Sequence, residues 1–237
     1  MGKVFQYKTN RTIPILSSDP MQVKASILFF SFLFFAMAVR AQTTANPFAR
    51  IDSIAENLPS EESSTISMLG DYINQNFNSE IEKSRFIFSW IATHVRYDIN
   101  CALGKNTHRQ DAMTVFNMHE GVCDGYSNLF AELCKASGVG CVKIGGVCTK
   151  NNYANHAWNA VKISGTWNLL DVTWGAGGVT PDFQFVPQFT DRYFFMPATD
   201  FIGEHLPFDP MWQLLYVPVS KSDFYAGNTA ANLLAPA

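Results

Sequence analysis

Glu120-Gly121-Val122-Cys123-Asp124-Gly125-Tyr126 places one cysteine where a glycine-flanked loop gives way to a helix. Beyond it, Tyr126, Leu129, Phe130, Leu133 and Cys134 recur at helical spacing. Cys123 stands three residues before Tyr126 and so shares their inward face. The sulfur is directed at the protein. A thiol at a helix start lies near free N–H groups and the positive end of the helix dipole, which favour the thiolate and lower its pKa below the ~8.5 of free cysteine. This reads Cys123 as a nucleophile. The competing reading is packing, the usual role of a single helix cysteine.

Two downstream segments decide between these readings: Asn155-His156-Ala157-Trp158-Asn159-Ala160-Val161 and Trp167-Asn168-Leu169-Leu170-Asp171-Val172-Thr173-Trp174-Gly175. Both are strand-like, and Ser164-Gly165 between them is a turn signal, so the pair predicts a β-hairpin. If the loop holds an even number of residues, Ile163 pairs with Thr166 and Trp158 with Asp171, leaving His156 and Asp171 diagonally adjacent on one face. A three-residue loop with a bulged Gly165 sends them to opposite faces instead. With the even register the chemistry has named parts. Cys123 attacks an acyl carbon, His156 takes and returns the proton, and Asp171 fixes the imidazole tautomer. The backbone N–H of Cys123 is the natural oxyanion donor, with Asn155 and Trp90 as candidates for a second.

Gly121-Val-Cys-Asp-Gly-Tyr126 with Leu129-Phe130, His156-Ala-Trp-Asn159 and Leu170-Asp-Val-Thr-Trp-Gly175, in that order, resemble the transglutaminase-like superfamily of papain-type cysteine enzymes. Arg192-Tyr-Phe-Phe, Phe201-Ile202, His205-Leu-Pro207 and Asp209-Pro-Met-Trp-Gln-Leu-Leu215 resemble its kyphoscoliosis peptidase-like branch, so the resemblance spans residues 80 to 216. It implies an α+β fold with a papain/transglutaminase-like core, the nucleophile helix packed on an antiparallel sheet. It also implies a Cys-His-Asp triad matching Cys123, His156 and Asp171. The superfamily serves proteolysis, amide transfer and deamidation, and includes scaffolds that have lost catalysis.

The chain opens on a targeting pattern. Lys24 precedes an apolar run from Ala25 to Val39, and Val39-Arg40-Ala41 offers small residues for cleavage before Gln42. The run is shorter than the ~20 residues of a spanning helix. Residues 1–41 are therefore read as an upstream extension and signal peptide, with Met21 the start of translation. Cleavage removes Lys3, Lys8, Arg11, Lys24 and Arg40 but only one acid, Asp19, leaving 12 basic against 19 acidic side chains, a formal charge of −7. No Lys/Arg cluster suggests nucleic acid binding. A secreted or periplasmic location follows, with membrane contact only through the signal peptide before cleavage.

Residues 42–78 are read as a linker and an N-terminal helical segment. Within it 42–64 is loosely attached, and a helix carries Ile66, Leu69, Ile73 and Phe77. The catalytic domain is placed at 79–219. It opens on a capping box of Ser79 and Glu82, and its first helix contains Trp90, read as core or as an active-site wall. Between Tyr97 and Glu120 a loop is expected, with a short helix over 111–118. A strand over 139–148 carries Gly145-Gly146, which marks a bulge or a close backbone approach. The aromatic stretch from Thr180 to Pro218 should wrap the sheet, and residues 220–237 should fray.

His108 and His119 lack the spacing of zinc ligands, and no acidic loop has calcium-ligand spacing, so neither a metal nor a cofactor is expected. If Cys123 stays free, Cys101, Cys134, Cys141 and Cys148 allow three pairings or none; no bridge is assigned. The leading expectation is an exported thiol enzyme acting by hydrolysis or acyl transfer on peptide or glutamine amide bonds of a protein or peptide, with protease-type cleavage ahead. The alternative is a non-catalytic module that holds an extended peptide in the same cleft.

Overall fold

The computed structural model describes residues 46–149 and 152–228, so the expectations for the leader, its cleavage point and the last nine residues lie outside the described residues. From Ala49 onward, the reading of 42–64 as loosely attached is corrected. Helix α1 (Ala49–Glu56) buries Ile51 and Ala55. Its Asp52 carboxylate accepts Arg85 Nε at 2.6 Å, Arg85 Nη2 at 2.7 Å and the Ser89 hydroxyl at 2.6 Å. Composition hid this helix because its apolar face is short, Ile51 and Ala55 within a polar stretch, and a distant charge pair adds to its attachment.

Helix α2 (Ile66–Asn76) is capped by Thr65, whose side chain accepts the Met68 N–H. In α3 (Glu80–His94) the Ser79–Glu82 capping box is present in both directions, and the helix is buried from Ser84 to Ala92. Helices α1 to α3 contribute to one apolar cluster with the nucleophile helix, which includes Leu69, Ile73, Phe88, Ile91, Leu129 and Phe130.

The polar stretch that follows is more ordered than its sequence suggests. Strand β1 (Arg96–Tyr97) pairs in parallel with β2 (Glu120–Gly121), and between them lie α4 (Ile99–Ala102) and α5 (Ala112–Met118). The buried Asp98 carboxylate ties this loop down by accepting the Cys101 N–H at 2.8 Å and Asn106 Nδ2 at 3.3 Å.

Helix α6 (Cys123–Ala136) packs on β3 (Gly140–Cys148) and β4 (Asn155–Ile163), with β5 (Thr166–Leu170) beyond. With β8 (His205–Pro207) at the far edge, the sheet order is β5-β4-β3-β8, antiparallel throughout. Ile163 pairs with Thr166, so the hairpin loop is two residues, Ser164 and Gly165. Both have positive φ, 48° and 88°, as a primed turn requires. The β3–β4 register runs unbroken from Gly140↔Lys162 to Val147↔Asn155, so Gly146 marks a close approach and not a bulge. A Cβ there would collide with the Leu206 carbonyl and the Trp158 ring, and would lie 2.8 Å from Pro207 Cα.

The C-terminal wrap comprises α7 (Val172–Ala176), β6 (Gly177–Val179), β7 (Phe185–Pro187), α8 (Ala198–Phe201), β8 (His205–Pro207), a 3₁₀ turn at Pro210–Gln213 and α9 (Lys221–Tyr225). It buries Tyr193, Phe194, Phe201 and Ile202 against the sheet. It also supplies β8, an edge strand that sequence reading missed. The frayed tail expected from Ser220 is corrected as far as the described residues reach: α9 is capped by Ser220 and buries Phe224. The architecture is α+β.

Candidate active site

Cys123 is the first residue of α6. Val122 before it is extended and offers no side-chain cap to the helix. The turn is held from outside instead: Gln110 Oε1 accepts the Val122 N–H at 2.9 Å while its Nε2 donates to the His108 carbonyl at 3.1 Å. Gln110 escaped the sequence reading because it is one polar residue in a polar loop. Gly121 and Gly125 leave room for it, since a Cβ on Gly121 would lie 3.1 Å from Gln110 Oε1 and one on Gly125 would overlap it.

The two-residue loop puts His156 and Asp171 on the same face, and His156 Nε2 meets Asp171 Oδ2 at 2.7 Å. After Asp171, Cys123 is the neighbouring group that favours the protonated imidazole. With Nε2 engaged by Asp171, Nδ1 is the nitrogen left for sulfur. Trp174 stacks on the ring at 5.2 Å between centroids, forming a wall. Asp171 is also the N-cap of α7, and its Oδ1 accepts the Trp174 N–H at 3.1 Å. One carboxylate therefore starts a helix and orients the imidazole.

The electrostatics follow from burial and pairing. Burial alone disfavours the His156 cation, but the Asp171 carboxylate and then Cys123 outweigh it and push the imidazole up to about 10. Burial would likewise raise Asp171, yet His156 and His205 hold it well below the usual carboxylate range. The pair is ionic at neutral pH.

A second imidazole completes the cluster. His205, the first residue of β8, is fully buried, and its Nε2 reaches the same Asp171 Oδ2 at 3.0 Å. Its register partner is Cys148 of β3. His156, Asp171 and His205 bring three ligand-type atoms within 4.8 Å of one another. Two ligands about 2.0–2.1 Å from a tetrahedral zinc stand roughly 3.3 Å apart. The 2.7 Å His156–Asp171 separation is that of a shared proton.

Other candidates fall outside the cluster. Trp90 is fully buried and stacks between His94 and Phe116, so as an oxyanion donor it is corrected to core. His108 sits 3.3 Å from Asp98, and His119 occupies the left-handed C-cap of α5. Asn155 pairs through its backbone with Val147. Cys101, Cys123, Cys134, Cys141 and Cys148 are all free thiols.

A cysteine opening a helix, packed on an antiparallel sheet that carries a histidine–carboxylate pair, defines the papain-type class of architecture. Residues 67–172 match the family model of the transglutaminase-like superfamily. The chain is similar to kyphoscoliosis peptidase. The Mus musculus protein is 32% identical over 187 residues, covering 75% of this chain and 28% of the relative. The Homo sapiens protein is 31% identical over 189 residues, again 75% of this chain and 28% of the relative. The chain thus spans little more than a quarter of the length of these relatives. A crystal structure of a TGase superposes with a TM-score of 0.40 at 16% identity, covering 71% of this chain and 43% of that one.

Proposed function

We propose that this protein is a cysteine enzyme that cleaves or transfers peptide or glutamine amide bonds, with Cys123, His156 and Asp171 as its triad and hydrolysis favoured over cross-linking. The observation that carries this reading is the 2.7 Å His156–Asp171 pair, with Cys123 among the groups that favour its imidazolium. An imidazolium maintained through neutral pH is the proton store an acyl transfer needs. The Cys123 sulfur adds to the amide carbonyl carbon, and the developing oxyanion faces the N–H groups at the start of α6, where no side-chain cap competes. The C–N bond breaks as His156 gives its proton to the leaving nitrogen. Water, or an amine in transfer, then attacks the thioester. His156 takes the attacker's proton and the sulfur leaves as thiolate. Similarity to a protein named a peptidase supports hydrolysis.

The substrate-free test is the rate of iodoacetamide alkylation at Cys123 against pH, with peptide mapping to separate the other thiols. The triad predicts rapid reaction well below the pH at which a free cysteine ionises. An ordinary thiol profile would instead support a peptide-holding module. Export belongs to the same proposal: the charged, apolar and small-residue order of residues 24–41 supports a mature N-terminus near Gln42 after translation from Met21. N-terminal sequencing of secreted material checks it, and a retained Met1 on that material refutes it.

A further inference from the structure

His205 is the one imidazole of the cluster that the reaction above does not use, and its surroundings are specific. It is fully buried. Phe201 stacks on its ring at 4.0 Å, Trp174 lies at 4.3 Å, and Trp158 meets it edge-on at 5.1 Å. Its Nε2 points at Asp171 Oδ2, while its Nδ1 is buried with no hydrogen-bond partner. Because a carboxylate only accepts, the ring proton must be on Nε2, and a bare Nδ1 is the less costly nitrogen to leave in an apolar wall. Protonating Nδ1 would bury an N–H with no acceptor next to the cationic His156, which agrees with burial holding His205 below the ordinary histidine range.

The ionisable groups around His205 are Asp171, His156 and Glu204, with its register partner Cys148 and the Tyr193 ring at 6.3 Å. Tyr97 senses the same carboxylate. Of these, Asp171 alone takes a hydrogen bond from His205.

We propose that His205 is a positioning residue for the triad: a neutral imidazole that donates Nε2–H to Asp171 Oδ2 and, with the Trp174 N–H on Oδ1, fixes the plane of the carboxylate that aims His156 at Cys123. This rests on the cysteine-enzyme reading above. The carboxylate has two oxygens and three donors, so it cannot rotate without stranding one of them in an apolar interior. The role is exerted through Asp171 and not on substrate. It therefore predicts a loss in kcat with KM little changed.

The test compares His205→Phe, which keeps an aromatic ring but donates nothing, with His205→Gln, whose amide Nε2 restores the donor without the ring. For each, Cys123 alkylation is followed from acid to neutral pH. Without that donor the carboxylate can turn and supports the imidazolium beside the thiolate less well, so the acid limb of His205→Phe should move up by about one pH unit, roughly a tenfold slower reaction on that limb. His205→Gln should recover most of the wild-type profile. Wild-type behaviour in His205→Phe overturns the proposal, as does equal impairment of both variants, which would mark the ring as packing only. If neither variant folds, ¹⁵N shifts of the wild-type side chain decide. A neutral ring protonated on Nε2 supports the role, and a charged ring or an Nδ1 proton overturns it. An ordinary thiol profile in the wild type would sink the enzyme reading, while the tautomer measurement still judges His205.

Discussion

Asp171 is a carboxylate with no solvent exposure that nonetheless stays ionised, because every side it presents meets a donor. Replacing it with asparagine leaves one oxygen and one NH₂, so at least one of the three donors loses its acceptor and the amide no longer stabilises an imidazolium by charge. Asp171→Asn should fold and lose on the order of 10²-fold or more in kcat on a peptide amide. His156→Ala should lose on the order of 10³–10⁴-fold, and Cys123→Ala should be inactive. Circular dichroism controls for folding. Full activity in folded His156→Ala and Asp171→Asn would show that the thiol acts without them. The meeting of His156 and Asp171 was legible because a two-residue turn fixes strand parity, and parity alone decides whether the two can meet. His205 was not. Its contact with Asp171 spans 34 residues and depends on β8 pairing with β3, which no local periodicity encodes.

At the scale of elements, α2 and α6 were readable from their apolar spacing and α3 from its Ser79–Glu82 capping box. Those held by distant contacts were not. Helix α1 depends on the Asp52–Arg85 pair, whose arginine is 1% exposed and also lies over the Phe48 and Phe194 rings. Arg85→Ala removes one partner of a buried ion pair and should cost on the order of 3–5 kcal/mol, read by denaturant unfolding. A cost within a few tenths of a kcal/mol would show that α1 does not rely on the pair. On the sheet, Gly146→Ala would push β8 away from β3 and should destabilise by about 1–3 kcal/mol. Since β8 carries His205, the same variant should also slow Cys123 alkylation at mildly acidic pH. Unchanged stability and reactivity would mean that the edge strand adjusts freely.

For the whole molecule, the buried pair ties stability to pH. His156 binds its proton more tightly folded than unfolded, about 10 against 6.5, so its stabilisation is full below about pH 6.5 and fades as the pH rises to about 10. Asp171 is shifted the other way from 3.8; its contribution is full above about pH 4 and is lost in stronger acid. The denaturant midpoint should therefore fall between about pH 6.5 and 10, and His156→Gln, which has no proton to lose, should flatten that decline. A wild-type midpoint constant over this range contradicts the ionic pair. Among the described residues, no helix is long and apolar enough to cross a membrane.

The position of β8 also sets an order in time. A ribosome makes Cys123, His156 and Asp171 first, and the strand that walls in the carboxylate begins 34 residues later. At about 5–20 residues per second, that gap lasts roughly 2–7 s. Through it the nascent chain carries Cys123, His156 and Asp171 but lacks the last side of their enclosure. The edge strand is the last side of the cluster to be made.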